Sequence, residues 1–242
     1  MSALDFLEAI RPDWFRFSER TNFGLAGSAH LGAWADSGLR LHISDEKEPR
    51  AREATVGRLL PHACSERHIE FDGRFCLGLN RPGIASRRQA RLWWTHLEAF
   101  VRCQSAAAAT GVWPLGHGLD HGGAGEYHRR ALRLSESLGI AEAYLDAWLG
   151  QPSWISGEGL LAIGDTAGRA KVTGPRPRKP KVFGGRRARL KLLELVILER
   201  ARRRRVDEFW KRAKESGRTC CGTMRNCRLE RVTRDGTKEI AA

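Results

Sequence analysis

The chain has 242 residues and a formal net charge of +14. No apolar run approaches the ~18 residues that a membrane span needs. The first residues carry Asp5 and Glu8 inside their apolar part, which is not the pattern of a signal peptide. A cytoplasmic protein with no membrane partner is therefore expected, and its six cysteines, Cys64, Cys76, Cys103, Cys220, Cys221 and Cys227, are expected as thiols or metal ligands rather than as a disulfide framework. The charge is uneven: residues 1–170 hold 19 Lys+Arg against 20 Asp+Glu, whereas residues 171–242 hold 23 against 8. Arguments from net charge concern the C-terminal third and its partners.

In chain order, Ala3 to Ile10 reads as a short helix, with Ser2 as N-cap and Pro12 beyond its end. Helical periodicity is then lost over residues 22–80. "LRLHI", Leu39 to Ile43, alternates as a half-buried strand does. "HIEF" and "RFCLGL" flank Asp72-Gly73, a tight-turn signal. The region predicts an antiparallel meander of three or four strands. From Ser86 a helix carries Trp93, Leu97, Phe100, Val101 and Gln104 on one stripe. Two more helices follow, Glu126 to Leu138 and Ala141 to Leu149, ended by Gly139 and Gly150. Helices segregated from an antiparallel sheet make the expected class α+β.

"TGPRPRKPKVFGGRR", Thr173 to Arg187, reads as a linker because prolines, glycines and cations dominate it. Beyond it, Arg186 to Lys214 predicts a long helix with an apolar stripe through Leu190, Leu193, Ile197, Ala201, Val206, Phe209, Trp210 and Ala213. The expected domains are 1–150, a linker over 151–185, and a basic helix with a cysteine-containing tail over 186–242.

Cys76 is the residue to explain. Among Phe75, Leu77 and Leu79 a cysteine is ordinarily a small buried hydrophobe. At a strand end leading into a loop, the same residue is reachable as a nucleophile. A third reading takes Cys64, His68, Cys76 and Cys103 as four zinc ligands, although their spacings match no common finger.

The order His, turn with Gly, aliphatic or aromatic, Cys-Leu, loop and Trp-bearing helix resembles ubiquitin-conjugating enzymes. Their active-site segment runs His-Pro-Asn-Ile, a turn, then Gly-x-Ile-Cys-Leu. "HIEFDGRFCLGL" agrees at His68, Ile69, Gly73, Phe75, Cys76, Leu77 and Leu79. "LPHACSERHIEFDGRFCLG" and "GVWPLGHGLDHGGAGEYH" are similar to the divergent bacterial branch found in anti-phage conjugation operons. The resemblance covers residues ~1–150 and is motif-level over about 60–130. It implies a thioester on Cys76, an activating enzyme and a ubiquitin-like protein as partners, and an amine on a target protein as acceptor. It also implies that His68 organises the active-site loop.

The family's Pro-Asn after the histidine is absent here, so other groups must stabilise the oxyanion. "WPLGHGLDHGGAG", Trp113 to Gly125, offers His117 and His121 as oxyanion donors and Asp120 to activate the amine. The same glycines also suit a plain turn before a helix, and they fail the G-x-G-x-x-G spacing. In the tail, "TCCGTMRNC" resembles a reduced zinc-binding segment, with Cys220, Cys221 and Cys227 as ligands and a fourth ligand unassigned. Arg202 to Arg205 admit nucleic acid as an alternative partner of the basic region. Two rival functions remain open: a non-catalytic adaptor with structural cysteines, and a nucleic-acid-binding module.

Overall fold

The computed structural model describes residues 1–78, 83–114, 120–155, 169–172, 181–225 and 227–229. Leu79, His117 and most of the expected linker lie outside the described residues. Contacts divide the chain into two compact units, Met1–Gly118 with Ala213–Ala242, and Leu119–Arg212. These limits differ from the boundaries at 150 and 186 that composition suggests.

The first unit begins with helix α1, Ala3–Ala9, where Ser2 and Asp5 form a reciprocal capping box. Four strands follow: β1 Phe15–Thr21, β2 Gly24–Ala29, β3 Leu39–Ser44 and β4 Ala51–Glu53. They pair antiparallel in sequence order, with Leu25 opposite Ile43 and Leu41 opposite Glu53. The alternation expected of Leu39 to Ile43 is observed in β3, where Leu39, Leu41 and Ile43 are fully buried.

Helix α2, Arg87–Thr110, starts on the Ser86 cap and ends at Gly111, whose φ of +70° closes the helix in the left-handed region. It packs Ala90, Trp94, Leu97, Phe100 and Val101 into the same core as the sheet and α1. Trp94, not Trp93, faces the core, and its indole N–H donates to Leu7 O at 3.0 Å. Trp93 is half-buried and donates to Pro49 O.

One expectation changes here. "HIEF" and "RFCLGL" do not form a regular hairpin among the described residues, but meet through single bridges, Ile69 with Phe75 and Cys64 with Ile69. The turn itself is present: Gly73 N–H donates to Glu70 O, and Glu70 N–H to Arg74 O. Gly73 sits at φ +78°, and a Cβ there would lie 2.8 Å from Val56. The bridge of Arg52 with Arg74 and the bond from Phe75 N–H to Ala51 O attach the segment to β4. The extra pairing serves the sheet rather than a free-standing hairpin.

The second unit contains α3, Ala124–Ser137, α4, Ala141–Trp148, a two-stranded ribbon of β5, Arg169–Val172, and β6, Lys181–Gly184, and most of α5, Arg186–Glu215. Its core gathers Ala131, Ile140, Tyr144, Ala147 and Ile155 around Leu192, Leu195 and Leu198. The predicted stripe of α5 is buried only towards its C-terminal end, at Trp210 and Ala213; Leu190, Leu193 and Ile197 are exposed, while Glu199 and Arg202 are buried. Leucine and isoleucine occur on more than one side of the first half of this helix, so periodicity alone selects the wrong side there.

Candidate active site

The Cys76 segment is built from backbone upward. Cys64 N–H and Ile69 O bond at 3.1 Å, and Ile69 N–H returns to Cys64 O at 2.9 Å, closing the turn from 64 to 69. His68 takes φ +54°, the one non-glycine residue with positive φ among the described residues. That conformation accompanies a bond from Cys76 N–H to His68 O at 2.8 Å. The His68 ring lies 5.0 Å from Trp113, which in turn meets Phe100, and Phe100 stacks on Phe75. An aromatic series therefore runs from the core to the ring beside the cysteine segment. His68 thus offers its carbonyl to the Cys76 N–H, and its ring is held against Trp113.

Phe75 is buried in the core, and Cys76, one residue later, is half-buried. Cys64 and Cys103 are buried. Gly78 follows with φ +125° and open space where a Cβ would be. Beside this exit lies a groove lined by Pro49, Phe75, Leu77, Ile84, Leu92 and Trp93. Its apolar walls come from both neighbours of Cys76 and from the first turns of α2. Because the Cys76 amide is already bonded to His68, it is not a free donor for an oxyanion.

The loop groups have other engagements. Asp120 accepts from Arg202 Nη1 at 2.8 Å and lies 3.9 Å from His128 Nδ1. The His121 ring stacks on Phe209 at 4.7 Å and meets Trp210 edge-on. All of these residues belong to the second unit, whereas Cys76 belongs to the first. The Asp120 carboxylate, expected to activate the amine, is thus already engaged with Arg202. His117 lies outside the described residues. Arg202 is buried between Glu199 and Asp120, Arg203 pairs with Glu199, and Arg205 pairs with Glu208. The four arginines are not a continuous free strip for phosphates.

Sequence reasoning missed Arg67. It is 2 % exposed, donates from Nε to Gln104 Oε1 at 2.7 Å and from Nη2 to Gln104 O at 3.2 Å, and receives Gln104 Nε2 on its own carbonyl. Its Nη1 reaches Thr223 Oγ1 at 3.3 Å. The clue was Gln104 itself, a polar residue on the apolar stripe of α2, which must find a buried partner. Arg225 N–H donates to Gly111 O, so the C-terminal segment is docked on both ends of this region. Cys221 and Cys64 share a hydrogen bond at 2.9 Å. Among the described residues no group of three or more His, Cys, Asp or Glu side chains is placed to hold a metal ion. Cys64 is engaged with Cys221, which takes it away from the set with His68, Cys76 and Cys103.

Residues 19–115 match the family model described as the prokaryotic E2 domain. The chain belongs to the divergent bacterial E2-like family. Residues 120–229 match a cysteine-rich domain that lies C-terminal to E2 domains. Together the two matches run from β1 to the last described residue, and the E2 match contains Cys76, His68 and Cys64. No curated protein and no solved structure matches the chain. The α+β fold, a four-stranded antiparallel sheet with helices, fits the E2 domain. Among the described residues no helix is long and apolar enough to cross a membrane.

Proposed function

We propose that this E2-like protein is a conjugating transferase whose Cys76 thiolate accepts a ubiquitin-like protein from an activating enzyme. The sulfur attacks the thioester carbonyl on the activating enzyme, a new C–S bond forms, and the enzyme's thiolate leaves. An amine on a target protein then attacks the Cys76 thioester, forming an amide and releasing the thiolate after loss of a proton. The observation that carries this reading is the position of Cys76. It is half-buried directly after the last bridged residue, with its backbone pinned to His68 O, and, unlike Phe75, it is not among the buried core residues.

The groove of Pro49, Leu77, Leu92 and Trp93 supports it further, since an extended C-terminal peptide delivering its carbonyl to Cys76 needs an apolar channel beside it. The setting we propose is bacterial anti-phage defence in the cytoplasm, supported by the likeness of the segment around Cys64 and Cys76 to that branch.

The test is incubation with a cognate activating enzyme, the ubiquitin-like protein and ATP, read on a non-reducing gel. A thiol-labile adduct on the wild type is expected, absent from Cys76→Ala. An equal, thiol-labile adduct on Cys76→Ala would assign the chemistry to another cysteine. Leu92→Asp, at an exposed position on the groove wall, is expected to slow loading without changing the melting temperature.

A further inference from the structure

The cluster of sulfur atoms away from Cys76 has no part in that chemistry. Within the first unit the segment after α5 brings Cys220, Cys221 and Cys227 to the turn that begins at Cys64. The sulfurs of Cys64 and Cys221 are 2.9 Å apart. Cys227 is buried and close enough to Cys220 and Cys64 for their charges to interact.

Gly222 N–H donates to Cys220 Sγ at 3.4 Å, and Thr223 Oγ1 lies 3.1 Å from Cys221 Sγ. Polar donors held at sulfur are the outer layer that metal-bound ligands use. The surrounding charge agrees. Arg67 is buried, and among the described residues its bonds go to Gln104 and Thr223, with no carboxylate. A buried guanidinium left without a counter-anion is costly, and charge on Cys64 and Cys221, once deprotonated, acts on it favourably.

We propose that Cys64, Cys220, Cys221 and Cys227 bind one zinc ion as a tetrathiolate, fastening the C-terminal segment to the turn that leads to Cys76. Cys64 is the fourth ligand that the tail lacks, and it comes from the E2 domain. Zinc displaces the thiol protons, and four thiolates around Zn²⁺ leave a net charge of −2, which Arg67 faces. The side chains as they stand are not placed to hold a metal ion: Cys64 and Cys221 are in contact, and the four sulfurs must spread around the ion as it binds. With Zn–S at about 2.3 Å, tetrahedral ligation sets sulfurs about 3.8 Å apart, so binding opens the Cys64–Cys221 contact by about 1 Å. A disulfide would instead need to close it to about 2.05 Å. The site is independent of Cys76, so thioester formation and zinc binding succeed or fail separately.

The experiment is metal analysis of the full chain purified with reductant, followed by cobalt substitution. About one zinc per chain is expected, and the cobalt form should show the intense visible bands and sulfur-to-metal charge transfer of tetrahedral thiolate ligation. Cys64→Ser should lose most of the zinc on dialysis against a mild chelator, whereas Cys64→His should retain it with shifted cobalt bands. Cys103→Ser should change neither. Because Cys64→Ser can fail to fold, the Cys64→His spectrum decides whether position 64 touches the metal. Unshifted bands in a zinc-bearing Cys64→His variant would overturn the proposal. So would a reduced, folded chain that takes up no zinc, iron in place of zinc, or an intact mass two hydrogens light from a Cys64–Cys221 disulfide.

Discussion

Two buried arginines show two ways of housing a cation. In the second unit Arg202 is closed in by its own carboxylates: Glu199 at 2.7 Å, one turn away on α5, and Asp120 at 2.8 Å. Burial alone would lower its pKa, but those two anions outweigh burial and hold it above the usual arginine value. In the first unit Arg67 meets an amide side chain, a carbonyl and a hydroxyl, and burial pulls its pKa below the usual value. The first arrangement is complete within one helix and one loop. The second has no carboxylate among the described partners of Arg67, so one arginine is balanced within its unit while the other gains an anion only if Cys64 and Cys221 bind zinc as we propose.

The largest effect should come from breaking the complete arrangement. Glu199 is 1 % exposed and bonds Arg202 and Arg203. Glu199→Gln keeps the shape but strips the anion, and is expected to cost about 3–5 kcal/mol, the range for a buried pair that loses one partner. Denaturant unfolding of the variant checks it; a cost below about 1 kcal/mol would show that Asp120 alone balances Arg202.

Gln104→Leu tests the incomplete arrangement. It removes the Nε acceptor of Arg67 and the donor to its carbonyl, while the bond to the Gln104 backbone remains. About 2–3 kcal/mol of destabilisation is expected for a buried charge deprived of these partners. The loss should be smaller when zinc is supplied, because thiolates then share the charge. Tyr144→Phe should do less in the second unit. The Tyr144 hydroxyl shares a 2.9 Å bond with His128 Nδ1, so the change should cost about 1 kcal/mol.

The same contrast explains what was legible in the sequence. Local signals were: Ser2 and Ser86 cap their helices, and Gly139 and Gly150 stand at positive φ behind theirs. The Cys76 segment was legible because its turn, its histidine and its cysteine are neighbours in the chain. The contact of Cys64 with Cys221 spans 157 residues, and no spacing rule reaches that far. The buried side of the first half of α5 was illegible for a different reason. Leucines occupy both candidate faces, and the choice fell to the one carrying Glu199 and Arg202, whose mutual pairing makes their burial tolerable. Asp120 and His121 looked catalytic because composition cannot distinguish a histidine beside a substrate from one stacked on Phe209.

The smallest prediction concerns pH and the second unit alone. His128 is buried against Tyr144 and Trp148. Burial lowers its pKa below 6.5, with Arg202 acting in the same direction and Asp120 and Glu199 opposing. The unfolded chain therefore takes up the His128 proton first as pH falls. Stability from this group is fully present above about pH 6.5 and declines as pH drops toward the lower folded value. Melting temperatures followed from pH 7 to 5 should show this decline in the wild type and a flatter line in His128→Gln. Equal slopes would mean that Asp120 and Glu199 carry enough negative charge to let His128 protonate in place. The carboxylates of the second unit would then balance two cations, which widens its difference from Arg67.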